Sequence, residues 1–280
     1  MSRKTKGRIF VGAMVVCLAI SFGTLAWLLA STFIDGIPAL SKQLFTDPPS
    51  TLPEEAGARP AILATIYLAV LLLLMSVPIG VLTAIYLEEY AHKERWYNRL
   101  LELNIQNLAA VPAIVYGILG LAFVVRGPVG MGRVLLAGAI ILTLVVLPTV
   151  IISSREAIRA VPDSIRQGGF ALGATKWQVV SRQVLPASIP GIATGSILAL
   201  SRAVGETAPL LLIGALQYVA FDPTVLGAFT ALPVQIYTWV KLPDPEFQQL
   251  AAAAIIVLLA IVLAMNAIAI FLRNHYRQTW

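Results

Sequence analysis

Along this chain the apolar residues come in long unbroken runs, and the polar residues collect between them. Residues 9–33 are nearly all apolar, more than the roughly 20 positions that a helix needs to cross a bilayer. Similar runs cover 61–87, 108–125, 134–152 and 250–272, and another at 189–216 is interrupted midway by charge. The pattern predicts an all-α membrane protein with six transmembrane helices. Pro78 and Gly80 are placed to kink the second. Between the runs, 34–60 is rich in proline and reads as an irregular external loop, and 88–102 reads as an amphipathic stretch. Gly127, Pro128 and Gly130 mark a tight turn. The segment 217–249 carries Tyr218, Phe221, Phe229, Tyr237, Trp239 and Phe247, which suit it to the membrane–water interface.

One long polar segment stands in the second half, VPDSIRQGGFALGATKWQVVSRQVLP at 161–186. It has the build of two short helices with a glycine joint. Asp163 is placed to cap the first. Thr175, with Gln178 three residues on, forms a capping box for the second. Gly168, Gly169 and Gly173 supply conformations that other residues resist, and Pro186 is expected to stop the second helix. Phe170, Leu172 and Trp177 make this hairpin a plug for a partner's groove. The alternative is an amphipathic loop lying on lipid, anchored by Trp177.

Composition agrees with the runs: 58% of the 280 residues are hydrophobic, 12% are charged, and the mean hydropathy is +0.84. Soluble chains average about a quarter charged residues. The formal charge of +6 is spread over the loops and forms no nucleic-acid stripe. Arg3, Lys4, Lys6, Arg8, Lys93, Arg95, Arg99, Arg155, Arg159, Arg166, Lys176, Arg182, Arg273 and Arg277 fall on one side of the predicted topology. Only Lys42, Arg59, Arg126, Arg133 and Lys241 fall on the other. The positive-inside rule then puts both termini and the 161–186 loop in the cytoplasm. The first run is too long for a signal peptide and reads as a retained span. Cys17, the one cysteine, reads as a small buried hydrophobe, and no Cys/His cluster suggests a metal.

Arg202 and Glu206 lie one helical turn apart in the fifth run. A charge at mid-bilayer costs on the order of 3 kcal/mol and is rarely kept without a use. Arginine's planar fork matches oxyanions, so Arg202, Glu206 and Thr207 are candidates for a substrate pathway, with Pro209 loosening the helix. The other reading is a structural ion pair fixing helix packing, which Gly191 and Gly195 would favour. Arg155 and Arg159 read as ordinary anchors of a helix end rather than anion sites. Asn104, Gln106 and Asn107 read equally as interfacial helix-start residues.

Gly173, Leu185 and Pro186, spaced as they are, resemble the cytoplasmic coupling loop of binding-protein-dependent ABC importer permeases. In place of that family's Glu-Ala-Ala stand Gln167, Gly168 and Gly169. Val161-Pro162, the run Ala171-Leu172-Gly173-Ala174-Thr175-Lys176-Trp177, and the run from Arg202 through Ala203-Val204-Gly205-Glu206-Thr207-Ala208 to Pro209 narrow it. Together they resemble the phosphate-importer permeases of the PstA type, although Ala113 stands where many relatives have serine. The resemblance implies the type I importer fold, in the bacterial inner membrane. The shared permease core would cover 60–272, with 1–59 adding a tail, the first span and an external loop, and 273–280 a C-terminal tail. It implies that Gly168, Gly169, Gly173, Thr175, Trp177, Leu185 and Pro186 serve ATPase coupling. It also implies a second permease of the PstC type, two ATPases of the PstB type, an external phosphate-binding protein of the PstS type, and phosphate as cargo.

The chain contains no Gly-x-x-x-x-Gly-Lys phosphate cradle, no His-Glu-x-x-His and no Gly-x-Ser-x-Gly. It is therefore expected to be a non-catalytic subunit that binds no cofactor, with ATP and Mg used by a partner. Other readings remain: a permease for another oxyanion, an ion-driven transporter with broken helices and carboxylates in both halves, or a membrane scaffold in phosphate signalling.

Overall fold

The computed structural model describes residues 3–92, 94–216 and 218–275. Lys93, Gln217, Arg277 and the rest of 276–280, and the side chains of Arg3, Lys4 and Lys6, lie outside the described residues. The described residues form twelve α-helices, two short 3₁₀ helices (Ile37–Ala39 and Pro53–Glu55) and no strand: α1 (Arg3–Gly36), α2 (Lys42–Thr46), α3 (Arg59–Ile85), α4 (Trp96–Ala109), α5 (Ala113–Gly120), α6 (Leu135–Arg159), α7 (Asp163–Ala171), α8 (Lys176–Val179), α9 (Leu185–Val204), α10 (Ala208–Ile213), α11 (Leu232–Val240) and α12 (Pro245–His275). π-helical turns at Tyr86–Tyr90, Leu121–Val125 and Val180–Val184 extend α3, extend α5 and join α8 to α9. Five stretches are long and apolar enough to cross a membrane, namely Gly7–Ala39, Arg59–Tyr90, Leu135–Arg159, Lys176–Val204 and Pro245–Phe271. The pair α4 and α5 with its π turn, bent by 101°, makes a sixth if counted as one.

The bundle centres on α6, flanked by α3 and α9. Small residues let these helices approach: a Cβ at Gly80 would meet Val150, one at Gly191 would lie 2.7 Å from the Ala157 Cβ, and one at Gly195 would strike Ser153. Leu72, Ile141, Leu142 and Leu200 fill the space between them. α3 runs unbroken through Pro78. In contrast, α1 is exposed along its apolar run and meets the bundle at Gly36, against Ala252 and Ile256 of α12. Cys17 on α1 is exposed, not buried.

Three spans depart from the hydropathy reading. The third is no straight rod over 108–125: α4 already starts at Trp96, and the chain turns at 110–112. Pro112 explains the turn, because it has no N–H to give a helix and steers Val111 away from helical angles. The Tyr116 hydroxyl ties the bend by donating to the Leu108 carbonyl (2.9 Å). The fourth span continues two turns past Ile152 to Arg159. The fifth ends at Val204, and the short α10 follows after Gly205.

The segment 218–249 is also more ordered than its aromatic content suggested. Tyr218, Phe221 and Tyr237 are exposed, but Phe229, Trp239 and Phe247 are core residues. Trp239 packs on Phe247 (ring centroids 6.5 Å apart), in one cluster with Leu44 of α2 and Leu232 of α11. Trp239 and Phe247 thus close one end of the bundle, while Phe229 packs in the main core against Gly138 of α6. The loop 34–60 contributes α2 and Leu44 to the same cap, and Arg59 reaches Asp222 at 2.7 Å.

Candidate functional site: a cavity at two helix breaks and an exposed loop

A cavity of about 250 Å³ lies where the two broken spans meet. Its lining comes from the α4–α5 bend (Ala109, Val111, Ala113), from α6 (Val145, Val146, Thr149) and from the end of α9 with the turn beyond it (Leu198, Ala199, Arg202, Ala203, Glu206). Since 145–149 is the midpoint of α6, the cavity sits at half the depth of the bundle. Its walls are apolar apart from Thr149, Arg202 and Glu206. The Arg202 side chain is 80% exposed and its Nε lies 3.5 Å from the Glu206 Oε1, whereas Glu206 is mostly covered. Arg202 is the third-last residue of α9, and Glu206 lies past the helix end, in the turn. The predicted pair therefore exists, although no single continuous helix holds it.

Thr207 is the N-cap of α10 and makes no side-chain cap bond, and it is not among the cavity-lining residues. Pro209 lies in the first turn of α10, against Gly117 of α5, so it starts a helix and does not loosen one. At the cavity's edge the N-terminus of α5 at Ala113 presents backbone N–H groups and the positive end of the helix dipole. A guanidinium, a helix N-terminus and a carboxylate counter-ion in an apolar surround suit an anion that enters and leaves. No carboxylate stands at the α4–α5 break, between Ala109 and Ala113, as an ion-driven pair of broken helices would require.

The second candidate region, 161–186, is a helical hairpin, but its detail differs from the sequence reading. α7 begins at Asp163 itself with Pro162 before it, and the carboxylate accepts from Arg166 (3.2 Å) instead of capping. Thr175 and Gln178 form the predicted capping box: Thr175 N donates to Gln178 Oε1 (2.8 Å) and Gln178 N to Thr175 Oγ1 (3.4 Å). The three glycines divide by task. Gly173 has φ +80°, and it closes α7 in a Schellman arrangement, with Gly173 N bonded to Phe170 O (2.9 Å) and Ala174 N to Gly169 O (3.2 Å). Gly169 is helical, and a Cβ there would press on Val179 and Gln183. Gly168 is helical with open space around it, so neither Gly168 nor Gly169 supplies an unusual backbone conformation.

Pro186 does not stop the second helix. α8, the π turn and α9 form one continuous rod, Lys176–Val204, with Pro186 in the first turn after the π segment. The widened turn, closed by i→i+5 bonds, takes up the proline's missing donor and its clash with the preceding turn. Leu185 and Pro186 are half-buried. The inner face of the loop is apolar: Val179, Val180 and Val184 pack with Ala84 and Ile85 of α3 and Ile158 of α6. The outer face leaves Phe170, Leu172 and Trp177 exposed, with Leu172 86% accessible.

Sequence reasoning missed the polar ring around this loop. Arg155 is buried and bonds Glu88 (Nε–Oε1 2.9 Å) and Glu102, while Arg159 bonds Glu88 at 2.7 Å. Neither is a free anchor at a helix end. Lys176 is exposed and lies over the Tyr90 ring (5.0 Å). The available signal was Glu88-Glu89 ending an apolar run on the predicted basic side, where carboxylates need cation partners.

Comparison with known proteins places these features. Residues 76–278 match the family described as binding-protein-dependent transport system inner membrane component. The phosphate transport system permease protein PstA of Yersinia pestis is 33% identical over 270 residues, covering 95% of this chain and 90% of that one. PstA of Mycobacterium leprae is 32% identical over 250 residues, covering 88% and 80%. Among solved structures, a bacterial ABC transporter that imports the acidic polysaccharide alginate matches over 99% of both chains, with a TM-score of 0.66 at 18% identity. The methionine transporter MetNI, in inward-facing form, matches with a TM-score of 0.61, covering 78% of this chain and 94% of that one, at 18% identity.

Proposed function

Because the chain belongs to the family of binding-protein-dependent transport system inner membrane components, we propose that it is the permease subunit of an ATP-driven phosphate importer, forming half of the translocation pathway. It is a multi-pass membrane protein with the ABC importer permease fold. The observation that carries the phosphate reading is Arg202, held at mid-depth beside Glu206 in an apolar cavity, in a chain whose relatives are phosphate permeases. Arg202 and the α5 N-terminus would bind the oxyanion, and Glu206 would neutralise Arg202 between turnovers. The exposed side of Arg202 faces the place where a second, related permease completes the pathway, and the bare length of α1 offers that partner a packing surface.

Phe170, Leu172 and Trp177 would dock a separate ATPase pair, which uses ATP and Mg, while an external phosphate-binding protein delivers cargo at the opposite end. Both termini then lie in the cytoplasm, in keeping with the positive-inside rule. Closure of the ATPases would push the loop, and the continuous Lys176–Val204 rod would carry that motion directly to Arg202 at its far end. Such coupling needs a cargo or nucleotide that binds the two states differently.

The test is ATP-driven uptake of labelled phosphate by vesicles holding the whole complex, with sulfate as competitor and Arg202→Gln as the variant. The expected result is uptake that resists sulfate and falls at least about tenfold in an assembled variant, the loss of one charge-assisted contact. Uptake unchanged by Arg202→Gln would reduce the pair to packing. Competition by sulfate would point to a broader oxyanion permease.

A further inference from the structure

The end of α3 does something that the helical rod of α8 and α9 does not explain. The π turn Tyr86–Tyr90, closed by Ala91 N to Tyr86 O at 2.8 Å, sends three consecutive side chains to three different elements. Glu88 takes Arg155 and Arg159 of α6 (2.9 and 2.7 Å). Glu89 takes Arg166 of α7 through both Nε and Nη2 (3.1 and 2.9 Å). Tyr90 receives Lys176 of α8 on its ring face. Arg166 also donates to the carbonyls of Ile158 (3.0 Å) and Val161 (2.6 Å), which end α6 and open the loop. Glu88 and Glu89 have side chains only 5% and 9% exposed.

An ion pair on a protein surface adds little, but a covered pair with forked, multiple hydrogen bonds holds its geometry. α7 has little else to hold it. Gly169 and Ile165 are its inward contacts, and Asp163, Ser164, Gln167, Gly168 and Phe170 are exposed. π turns of this kind occur often at functional sites.

We propose that the Tyr86–Tyr90 turn is a second transmission point of the docking loop, at which Glu89 and Arg166 act as positioning residues that make α7 and α3 move as one body. On the importer reading above, on which this inference rests, a push on α7 then drives α3 and α6 directly as well as α9. The cavity at the α4–α5 bend is lined by α6, so its wall moves with the loop.

The test uses the whole assembled complex in lipid. Spin labels go on Leu82→Cys of α3 and Ser164→Cys of α7, both exposed, in a Cys17→Ser background. The distance between them is measured with and without nucleotide, alongside ATP hydrolysed per anion imported. The expected result is one distance in both states for the otherwise native chain. In Glu89→Gln the distance becomes state-dependent and the ATP used per anion rises about tenfold, within the usual span of site-to-site coupling. A merely structural pair would lower complex yield and leave that ratio alone. A native distance that already changes with nucleotide, or a Glu89→Gln chain that keeps both distance and ratio, overturns the proposal. Should Glu89→Gln fail to assemble, the native pair decides by itself. Cargo other than phosphate abolishes phosphate uptake in every chain but leaves hydrolysis and distances readable, so the two readings fail separately.

Discussion

Gly168 and Gly173 are five residues apart in one exposed loop, each with no atom within 4 Å of the place a Cβ would take. Replacing either with alanine therefore meets no clash, and the outcome rests on backbone conformation alone. Gly173 has φ +80°, and an L-residue held there costs about 1–2 kcal/mol. Gly168 sits inside α7 with ordinary helical angles, where alanine is favoured over glycine by roughly 0.5–1 kcal/mol. The same chemical change should thus act with opposite sign. The assay is amide hydrogen exchange of the loop in detergent, read at Leu172, Gly173 and Ala174, whose N–H groups bond Gly168, Phe170 and Gly169 carbonyls. Gly173→Ala should lower protection there about 5–30-fold, the factor that one to two kcal/mol commands. Gly168→Ala should raise protection a few-fold, and Gly173→Asn should restore most of the loss, because asparagine tolerates left-handed angles. If Gly173→Ala exchanges like the native chain, the Schellman ending of α7 is wrong. If both alanines lower protection, side-chain space and not backbone angle is the governing term.

Two further predictions concern the bundle. Phe229 is fully buried, touching the position a Cβ at Gly138 would occupy, so Phe229→Ala should cost about 3–5 kcal/mol, whereas the exposed Phe221→Ala should be near neutral. Thermal unfolding in detergent separates them, and equal midpoints would refute the placement of Phe229 in the core. Gly195→Val should force α9 from Ser153 of α6 at about 1–3 kcal/mol, while Gly23→Val on α1 meets nothing. Comparable yields of folded protein from these two variants would refute the close α6–α9 contact.

How much of this was legible beforehand follows from the range of the forces involved. Crossing a membrane is decided by the count of successive apolar residues, so the spans could be read from the chain, along with the loop between the fourth and fifth. The Thr175 capping box is local, involving residues three apart, and it forms as predicted. Pro186 misled because a proline's effect depends on the turn before it. With ordinary i→i+4 bonding it would end or kink a helix, but the π turn Val180–Val184 absorbs it, and nothing in a list of propensities announces a π turn. Phe229, Trp239 and Phe247 misled for a related reason. Aromatics favour both the interface and the core, and only the fold chooses between them: Trp239 and Phe247 close on Leu44, and Phe229 packs against Gly138.

The candidate site shows the same division more sharply. Arg202 stood out because a charge within an apolar run is conspicuous alone, and its neighbour Glu206 lies four positions on. Arg155, by contrast, looked like any basic residue at a helix end, because its partner Glu88 is 67 positions away. Removing it would leave the covered Glu88 with the half-exposed Arg159 as partner, and weakening a covered pair costs more than an exposed pair contributes. The cavity itself arises from two helix breaks, one at Pro112 and one at Gly205, that belong to different spans. Either break taken alone would expose unpaired backbone groups to lipid, which no membrane span tolerates. Placed together against the midpoint of α6, they line one cavity that holds Thr149, Arg202 and Glu206 in an otherwise apolar wall. That mutual dependence explains why a chain otherwise made to exclude charge keeps Arg202 where it does.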